Sequence, residues 1–177
     1  MTHPVAPVVP AADTKDLTHV ITEGCEECGY RPPDPAGTGE RLHASLPRWE
    51  AALARPDAGE RPAPAVWSTV EYAAHVRDAC RVFRGRLALM LAEDDPVFAN
   101  WDQDETALAE RYWELPAQVV GPQLADEVRA TAAAFEKVTG PQWGRTGRRS
   151  NGSVFTVGTL ATYLLHDVEH HLHDVGA

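Results

Sequence analysis

The chain has 177 residues, of which 44% are hydrophobic and 24% are charged, a composition typical of one globular domain with a single core. Its formal net charge of -10 at pH 7 excludes nucleic acid as the expected partner, because binding to phosphate backbones depends on Lys and Arg. No apolar run approaches the roughly 20 residues of a transmembrane helix and no signal-peptide pattern is present, so we expect a cytoplasmic protein that does not bind membranes.

The predicted elements begin with an N-terminal arm. Residues 1–15 mix Pro, Ala and Val without a helical or strand period, so they are predicted to be loose and to lie outside the fold. Residues 16–177 are expected to form a single domain. Its first part, residues 16–37, contains Cys25 and Cys28 followed by three prolines that prohibit a continuous helix, so we predict a loop.

Four stretches with apolar residues at helical spacing follow this loop. They run from Thr38 to Pro56, from Ser68 to Leu91, from Asp104 to Val138, and from after Gly158 to Val175. Thr38 can cap the first stretch, and Ser68 with Glu71 forms a capping box at the second. Pro116 and Gly121-Pro122 break or bend the third stretch, which can therefore be two helices. Because no alternating segment is long enough for a sheet, an all-α four-helix bundle is the expected fold.

The last helix carries the strongest functional signal. His166 and His170 are four residues apart, which places both imidazoles on one face within reach of one ion. A surface pair without a metal is the alternative that spacing alone leaves open. His75, in the second helix, is expected to face other helices and to be a third ligand, unless it is a hydrogen-bonded core histidine. Three histidines would leave one position open, as in catalytic zinc sites.

Residues beside these histidines receive other roles. Asp78, three residues after His75, can accept an imidazole N–H or a proton, and we predict it as the catalytic residue, with Glu71 able to act in the same way. In the alternative, both acids pair with Arg77, Arg81 or Arg145 as solvated charges. Asp167 and His171, one position beyond the predicted pair, are expected to point elsewhere.

Three segments resemble the DinB-like four-helix-bundle superfamily. They are Trp67–Asp78 (WSTVEYAAHVRD), Val157–Leu160 (VGTL) and Leu164–His171 (LLHDVEHH). The likeness extends over residues 38–175 and is similar in particular to the branch of mycothiol-dependent maleylpyruvate isomerase and other thiol transferases. It implies a divalent ion near the open end of the bundle, and motif matching assigns His75, His166 and His170 as its ligands. Some relatives have Glu at the first position of the terminal pair, where the match here gives His.

The resemblance also implies a function. We expect a metal-dependent enzyme that activates a small thiol such as mycothiol for transfer or isomerisation of an electrophilic substrate. Zinc is the expected ion, with nickel and iron as alternatives, and a homodimer is allowed. Arg145, Arg148 and Arg149 could clamp a carboxylate-bearing substrate or belong to a flexible charged loop, and we predict Arg145 and Arg148 as the residues that bind the cosubstrate. A non-catalytic metal- or ligand-binding protein and a metal-dependent hydrolase remain alternatives.

The cysteines leave several interpretations open. An odd total of three argues against a secreted disulfide framework. Cys25 and Cys28 form half of a zinc knuckle or a redox pair, and they fit a packed loop with incidental thiols, a reversible disulfide or a second metal site. Cys80 lies in an apolar helix and is expected to be a small buried hydrophobic residue.

Overall fold

The computed structural model describes residues 17–177. The loose arm predicted over residues 1–15 lies outside the described residues, so the division into an arm and a domain over residues 16–177 stays a prediction.

Four long helices form the core of the molecule. The helices of the described chain are α1 (Val20–Glu23), α2 (Thr38–Leu53), α3 (Thr69–Ala92), α4 (Gln103–Ala109), α5 (Ala117–Phe135) and α6 (Val157–Asp174). Helices α5 and α6 each pack against both α2 and α3, so these four close around one apolar core. The prediction of a four-helix bundle is confirmed. No helix in residues 17–177 combines the length and apolar character needed to cross a membrane.

The sequence predicted the N-terminal cap of α3 correctly but not that of α2. Ser68 Oγ accepts a hydrogen bond from the Glu71 N–H at 3.2 Å, and the Glu71 carboxylate accepts one from the Ser68 N–H at 2.9 Å, so the capping box of α3 is confirmed. The predicted cap of α2 is wrong by one residue. Gly37 is the N-cap, and Thr38, the first helical residue, donates its hydroxyl to the Pro35 carbonyl at 2.7 Å.

The third predicted helical region is two helices. Helix α4 is followed by a single 3-10 turn at Tyr112–Glu114, and α5 begins immediately after Pro116, which is its N-cap. Pro122, the second predicted break, lies inside α5. The chain therefore breaks at the first of the two prolines.

A small sheet covers one end of the bundle, so the expectation that no sheet forms is wrong. Strands β1 (Val97–Phe98), β2 (Thr146–Arg149) and β3 (Val154–Thr156) lie in the order β1-β2-β3, with β1 parallel and β3 antiparallel to β2. Strands of two to four residues are too short for an alternating pattern to be recognised. Gly147 permits the contact with α3, because a Cβ there would lie 2.7 Å from Met90 Cγ.

Candidate metal centres at one end of the bundle

Metal-ligating side chains collect where the first turns of α3 face the last turns of α6. Two groups of side chains could each hold a metal ion, because the ligand atoms within each group all lie within 4.8 Å of one another. The first group, here called the Cys/His cluster, is Cys25, Cys28, His166 and His170. The second, here called the His/Asp cluster, is His75, Asp167 and His171. A third group combines Glu27, His170 and Asp174. No group found among residues 17–177 holds all three predicted ligands. His75 belongs to one cluster, whereas His166 and His170 belong to the other.

His75 is positioned in the second turn of α3 and faces α6, as expected. Its relative exposure is 0%. Its Nε2 atom lies 3.2 Å from Asp167 Oδ2. Its Nδ1 atom is buried and has no hydrogen-bond partner among the described residues. The alternative of a core histidine whose two ring nitrogens are both satisfied is therefore not what the structure shows.

Asp167 lies between two imidazoles. Its Oδ1 is 3.6 Å from His171 Nε2, and its Oδ2, although close to His75, is buried and accepts no hydrogen bond of regular geometry from the described residues. Burial alone would raise the pKa of Asp167, but His75 and His171 outweigh it and hold this pKa well below its usual range. The expectation that Asp167 points away from the site is wrong, because the rotation of α6 turns residues 167 and 171 toward α3.

His171 completes this cluster with a carboxylate behind it. Its Nδ1 lies 2.8 Å from Asp174 Oδ2, one turn further along α6. Burial lowers the pKa of His171, but its contacts with Asp167 and Asp174 outweigh that effect and raise the pKa to about 9. An imidazole backed by a carboxylate in this way is typical of metal-ligating histidines, whose outer nitrogen usually contacts a carboxylate or carbonyl.

Aromatic rings enclose the His/Asp cluster. Trp101 stacks on His75 with ring centroids 5.4 Å apart, and Trp67 approaches the same imidazole at 5.6 Å. Tyr72 lies 5.0 Å from His171. These rings limit access of water, which strengthens electrostatic interactions at the cluster. Trp101 was not predicted as part of the site, because no pattern in the sequence could have placed it there.

Asp78, the predicted catalytic residue, belongs to neither cluster. Arg77 donates two hydrogen bonds to its carboxylate at 3.0 and 2.8 Å, and Arg81 lies 3.1 Å from it. The hydroxyl of Tyr112 also donates to Asp78. Glu71 is likewise occupied by its cap and by Arg61 at 2.9 Å. Both acids therefore pair with arginines, as in the alternative, but they are buried rather than solvated, and the partner of Glu71 is Arg61.

The two arginines predicted to bind a cosubstrate lie at the other end of the bundle. Arg145 donates to the Glu93 carbonyl at 2.7 Å, and Arg148 donates to Asp95 at 2.6 Å. Both contacts lie beyond the last turn of α3, whereas His75 is in its second turn. Both arginine contacts are therefore more than about 22 Å from His75 along the axis of α3, at a rise of 1.5 Å per residue.

A cavity of about 850 Å³ lies between α2, α5 and the start of α3. Its lining includes Trp49, Val70 and Leu124, and none of the residues that line it belongs to either cluster. We therefore locate the candidate site by its chemistry rather than by the size of this cavity.

The comparisons with known proteins agree with this geometry at the level of the fold. The model of the DinB superfamily matches residues 26–175. The chain belongs to the DinB superfamily. This match does not extend to the mycothiol-dependent branch named by the sequence resemblance.

One solved structure resembles this DinB superfamily protein. It is YfiT from Bacillus subtilis, described as a probable metal-dependent hydrolase with an unusual four-helix bundle topology. The TM-score is 0.69 at 15% sequence identity, and the likeness covers 80% of this chain and 85% of YfiT. At that identity the likeness shows the shared fold. No curated protein matches the chain.

Proposed function

We propose that the protein is a divalent-metal-dependent enzyme whose ion is held by His75, Asp167 and His171. The observation that carries this proposal is the placement of a carboxylate between two imidazoles, with a buried Asp167 oxygen and a buried His75 nitrogen that have no hydrogen-bond partner among the described residues. Two histidines and one carboxylate are a common catalytic zinc set, and three protein ligands leave a position for an exogenous molecule.

This ligand set shifts the terminal pair of the sequence prediction by one residue, from His166 and His170 to Asp167 and His171. A carboxylate then occupies the first position of the pair, as in the relatives that have Glu there. Zinc fits these nitrogen and oxygen donors, and nickel and iron accept the same types of ligand.

We infer that the exogenous molecule is a small thiol of the mycothiol type, used for transfer or isomerisation. When bound, a divalent ion would supply the positive charge that keeps a coordinated thiol ionised at neutral pH. The proton of the thiol would pass to solvent, so this chemistry requires no carboxylate as general base. The nearby acids are already engaged: Asp174 contacts His171, Asp78 is held by Arg77, and Glu71 is held by Arg61.

Other residues of the chain orient the proposed ligands and shield the cluster from water. Trp67 and Trp101 pack against His75 and limit water on one side of the cluster. Asp174 orients the His171 ring through Nδ1 and leaves Nε2 directed at Asp167. Arg145 and Arg148 are too distant to bind a thiol at this cluster, so we do not assign them that role.

Hydrolysis is the second candidate, because the similar structure YfiT is described as a probable metal-dependent hydrolase. Here the attacking group would be water, which has to lose a proton. A divalent ion would lower the pKa of bound water as it would that of a bound thiol, so neither candidate needs a general base to form its nucleophile. The two candidates differ in the attacking atom, which is oxygen in hydrolysis and sulfur in thiol activation.

Cobalt substitution separates these candidates. The experiment uses the Cys25→Ser/Cys28→Ser variant, so that any sulfur-to-metal charge transfer must come from an added thiol. We expect mycothiol or another small thiol to produce such a band, and the same variant carrying Asp167→Ala to show none. A response to carboxylates or phosphates without one to any thiol would favour hydrolysis. Bound cobalt without turnover of any acceptor would favour a non-catalytic binding protein.

A further inference from the structure

The Cys/His cluster shares no ligand with the proposed catalytic centre and has a different set of donors. Cys25 and Cys28 come from the segment after α1, and His166 and His170 come from α6. Cys25 Sγ lies 3.8 Å from His170 Nδ1, and all four ligand atoms lie within 4.8 Å of one another. All three cysteines of the chain are free thiols.

The turn that carries the thiols has a defined backbone. Gly24 has φ +81°, and a Cβ at this position would lie 2.4 Å from the Tyr30 carbonyl oxygen, so glycine is required there. The Cys25 N–H donates to that same oxygen at 3.0 Å, which closes the turn around Cys28. The Tyr30 hydroxyl donates to the Thr162 carbonyl at 2.9 Å and fixes the end of the turn to α6.

The two imidazoles are oriented as ligands of an ion would be. His166 has a relative exposure of 3%, and its Nε2 atom is buried without a hydrogen-bond partner among the described residues. His170 presents Nδ1 to the Cys25 sulfur and Nε2 to Asp174 Oδ1 at 3.7 Å. The outer carboxylate that accompanies ligating histidines is therefore present behind His170.

We propose that Cys25, Cys28, His166 and His170 bind a second divalent ion, zinc(II), in a structural site that fastens the segment after α1 to α6. Two thiolates and two imidazoles select zinc over the hard cations magnesium and calcium. Four protein ligands fill a tetrahedral shell and leave no position for a substrate, which distinguishes this site from the three-ligand His/Asp cluster. Asp174 contacts one histidine of each cluster, His171 and His170, so the two sites share an outer carboxylate.

The first test is the zinc content of the purified protein. We expect two zinc ions per chain in the wild type and one in the Cys25→Ser/Cys28→Ser variant. Cys80→Ala is the matched control, because Cys80 is fully buried in α3 and belongs to neither cluster, and it should retain both ions. Equal zinc content in the wild type and the double variant would overturn the proposal.

The second test does not require a cysteine variant to fold. Asp167→Ala disrupts only the His/Asp cluster, so the zinc that remains should be that of the Cys/His cluster. X-ray absorption of this variant should show two sulfur neighbours at about 2.3 Å and two nitrogen neighbours at about 2.0–2.1 Å. A shell of nitrogen and oxygen alone would refute the site. If the wild type and Asp167→Ala both contain one zinc with this sulfur shell, the catalytic proposal fails while this one stands.

Thiol labelling distinguishes the ion from a disulfide. In the zinc-loaded protein, Cys25 and Cys28 should react slowly with a maleimide, and a chelator should accelerate both reactions, because labelling requires a free thiol. Cys80 should remain unlabelled in either case. Two thiols that react only after a disulfide reductant is added would overturn the proposal, and so would two thiols that label at the same rate with and without chelator.

Discussion

The two ends of the bundle hold their charged side chains in different ways. At one end, the His/Asp cluster places a half-buried carboxylate between imidazoles, with buried polar atoms left unpartnered among the described residues. At the other end, Arg145 and Arg148 make regular hydrogen bonds to carbonyls and acids around the last turn of α3. Unsatisfied buried polar groups are costly and require an explanation, such as a bound ion, whereas satisfied surface pairs require none. This difference is the basis on which we propose the first end as the site of the chemistry.

The largest expected effect is at the first end. Asp167→Ala removes the only carboxylate of the His/Asp cluster. Its loss should weaken metal binding by more than the roughly 10- to 100-fold that follows loss of an outer hydrogen-bond partner, and turnover should disappear. The measurement is a cobalt titration in the Cys25→Ser/Cys28→Ser background. Glu169→Ala is the matched control, because Glu169 is on the same helix but pairs with Arg41. An unaltered cobalt affinity in the Asp167→Ala variant would show that the His/Asp cluster does not hold the ion, and the proposed difference between the two ends of the bundle would fail.

Asp78 tests whether an acid near the His/Asp cluster, but outside it, contributes to catalysis or to stability. Asp78→Ala would leave the buried Arg77 without its counter-charge, which should lower the free energy of unfolding by about 3–5 kcal/mol. Urea denaturation measures this change, and both ions should be retained. Asp126→Ala is the control, because Asp126 faces a neighbouring arginine in the same way but its side chain is 82% exposed. A variant of wild-type stability with slow turnover would instead support the catalytic role predicted from the sequence.

Asp174 tests whether the two clusters are coupled. Asp174→Asn removes the charge behind both His171 and His170, and we expect both metal affinities to fall by about 10- to 100-fold without loss of either site. Separate zinc titrations of Asp167→Ala and Cys25→Ser/Cys28→Ser proteins, each with and without Asp174→Asn, resolve the two effects. His173→Ala, an exposed neighbour in neither cluster, should leave both affinities unaltered. A loss confined to one cluster would show that the carboxylate serves only that one.

The fold could be predicted from the sequence because its signals are local. The capping box at Ser68 and Glu71 and the apolar stripe of α3 act within one helix, and the structure confirms both. The short strands could not be predicted, because β1 pairs with β2 about 50 residues away and neither strand is long enough to show a period.

The candidate site was predictable only in part, for a related reason. Spacing of four residues joins His166 to His170 and Asp167 to His171 equally well, and the two pairs differ by one residue, or about 100° of helix rotation. Which pair faces α3 depends on packing between helices, which the spacing does not contain. His75 was placed correctly at the bundle interior, and the structure groups it with Asp167 and His171 rather than with the predicted His166 and His170. Cys25 and Cys28 could not be connected to α6 because that contact spans 145 positions.

The smallest expected effect is at the arginine end. Arg148→Ala removes an exposed pair with Asp95, and because surface ion pairs contribute little, the melting temperature should shift by less than about 2 °C. Metal content and the KM for the thiol should not change, since Arg148 lies more than about 22 Å along α3 from His75. Arg148→Lys is the matched variant, because it keeps the charge and loses only the planar guanidinium. A rise in KM with alanine that lysine does not rescue would show that the guanidinium binds the thiol or its acceptor, and would return Arg148 to the role that the sequence predicted.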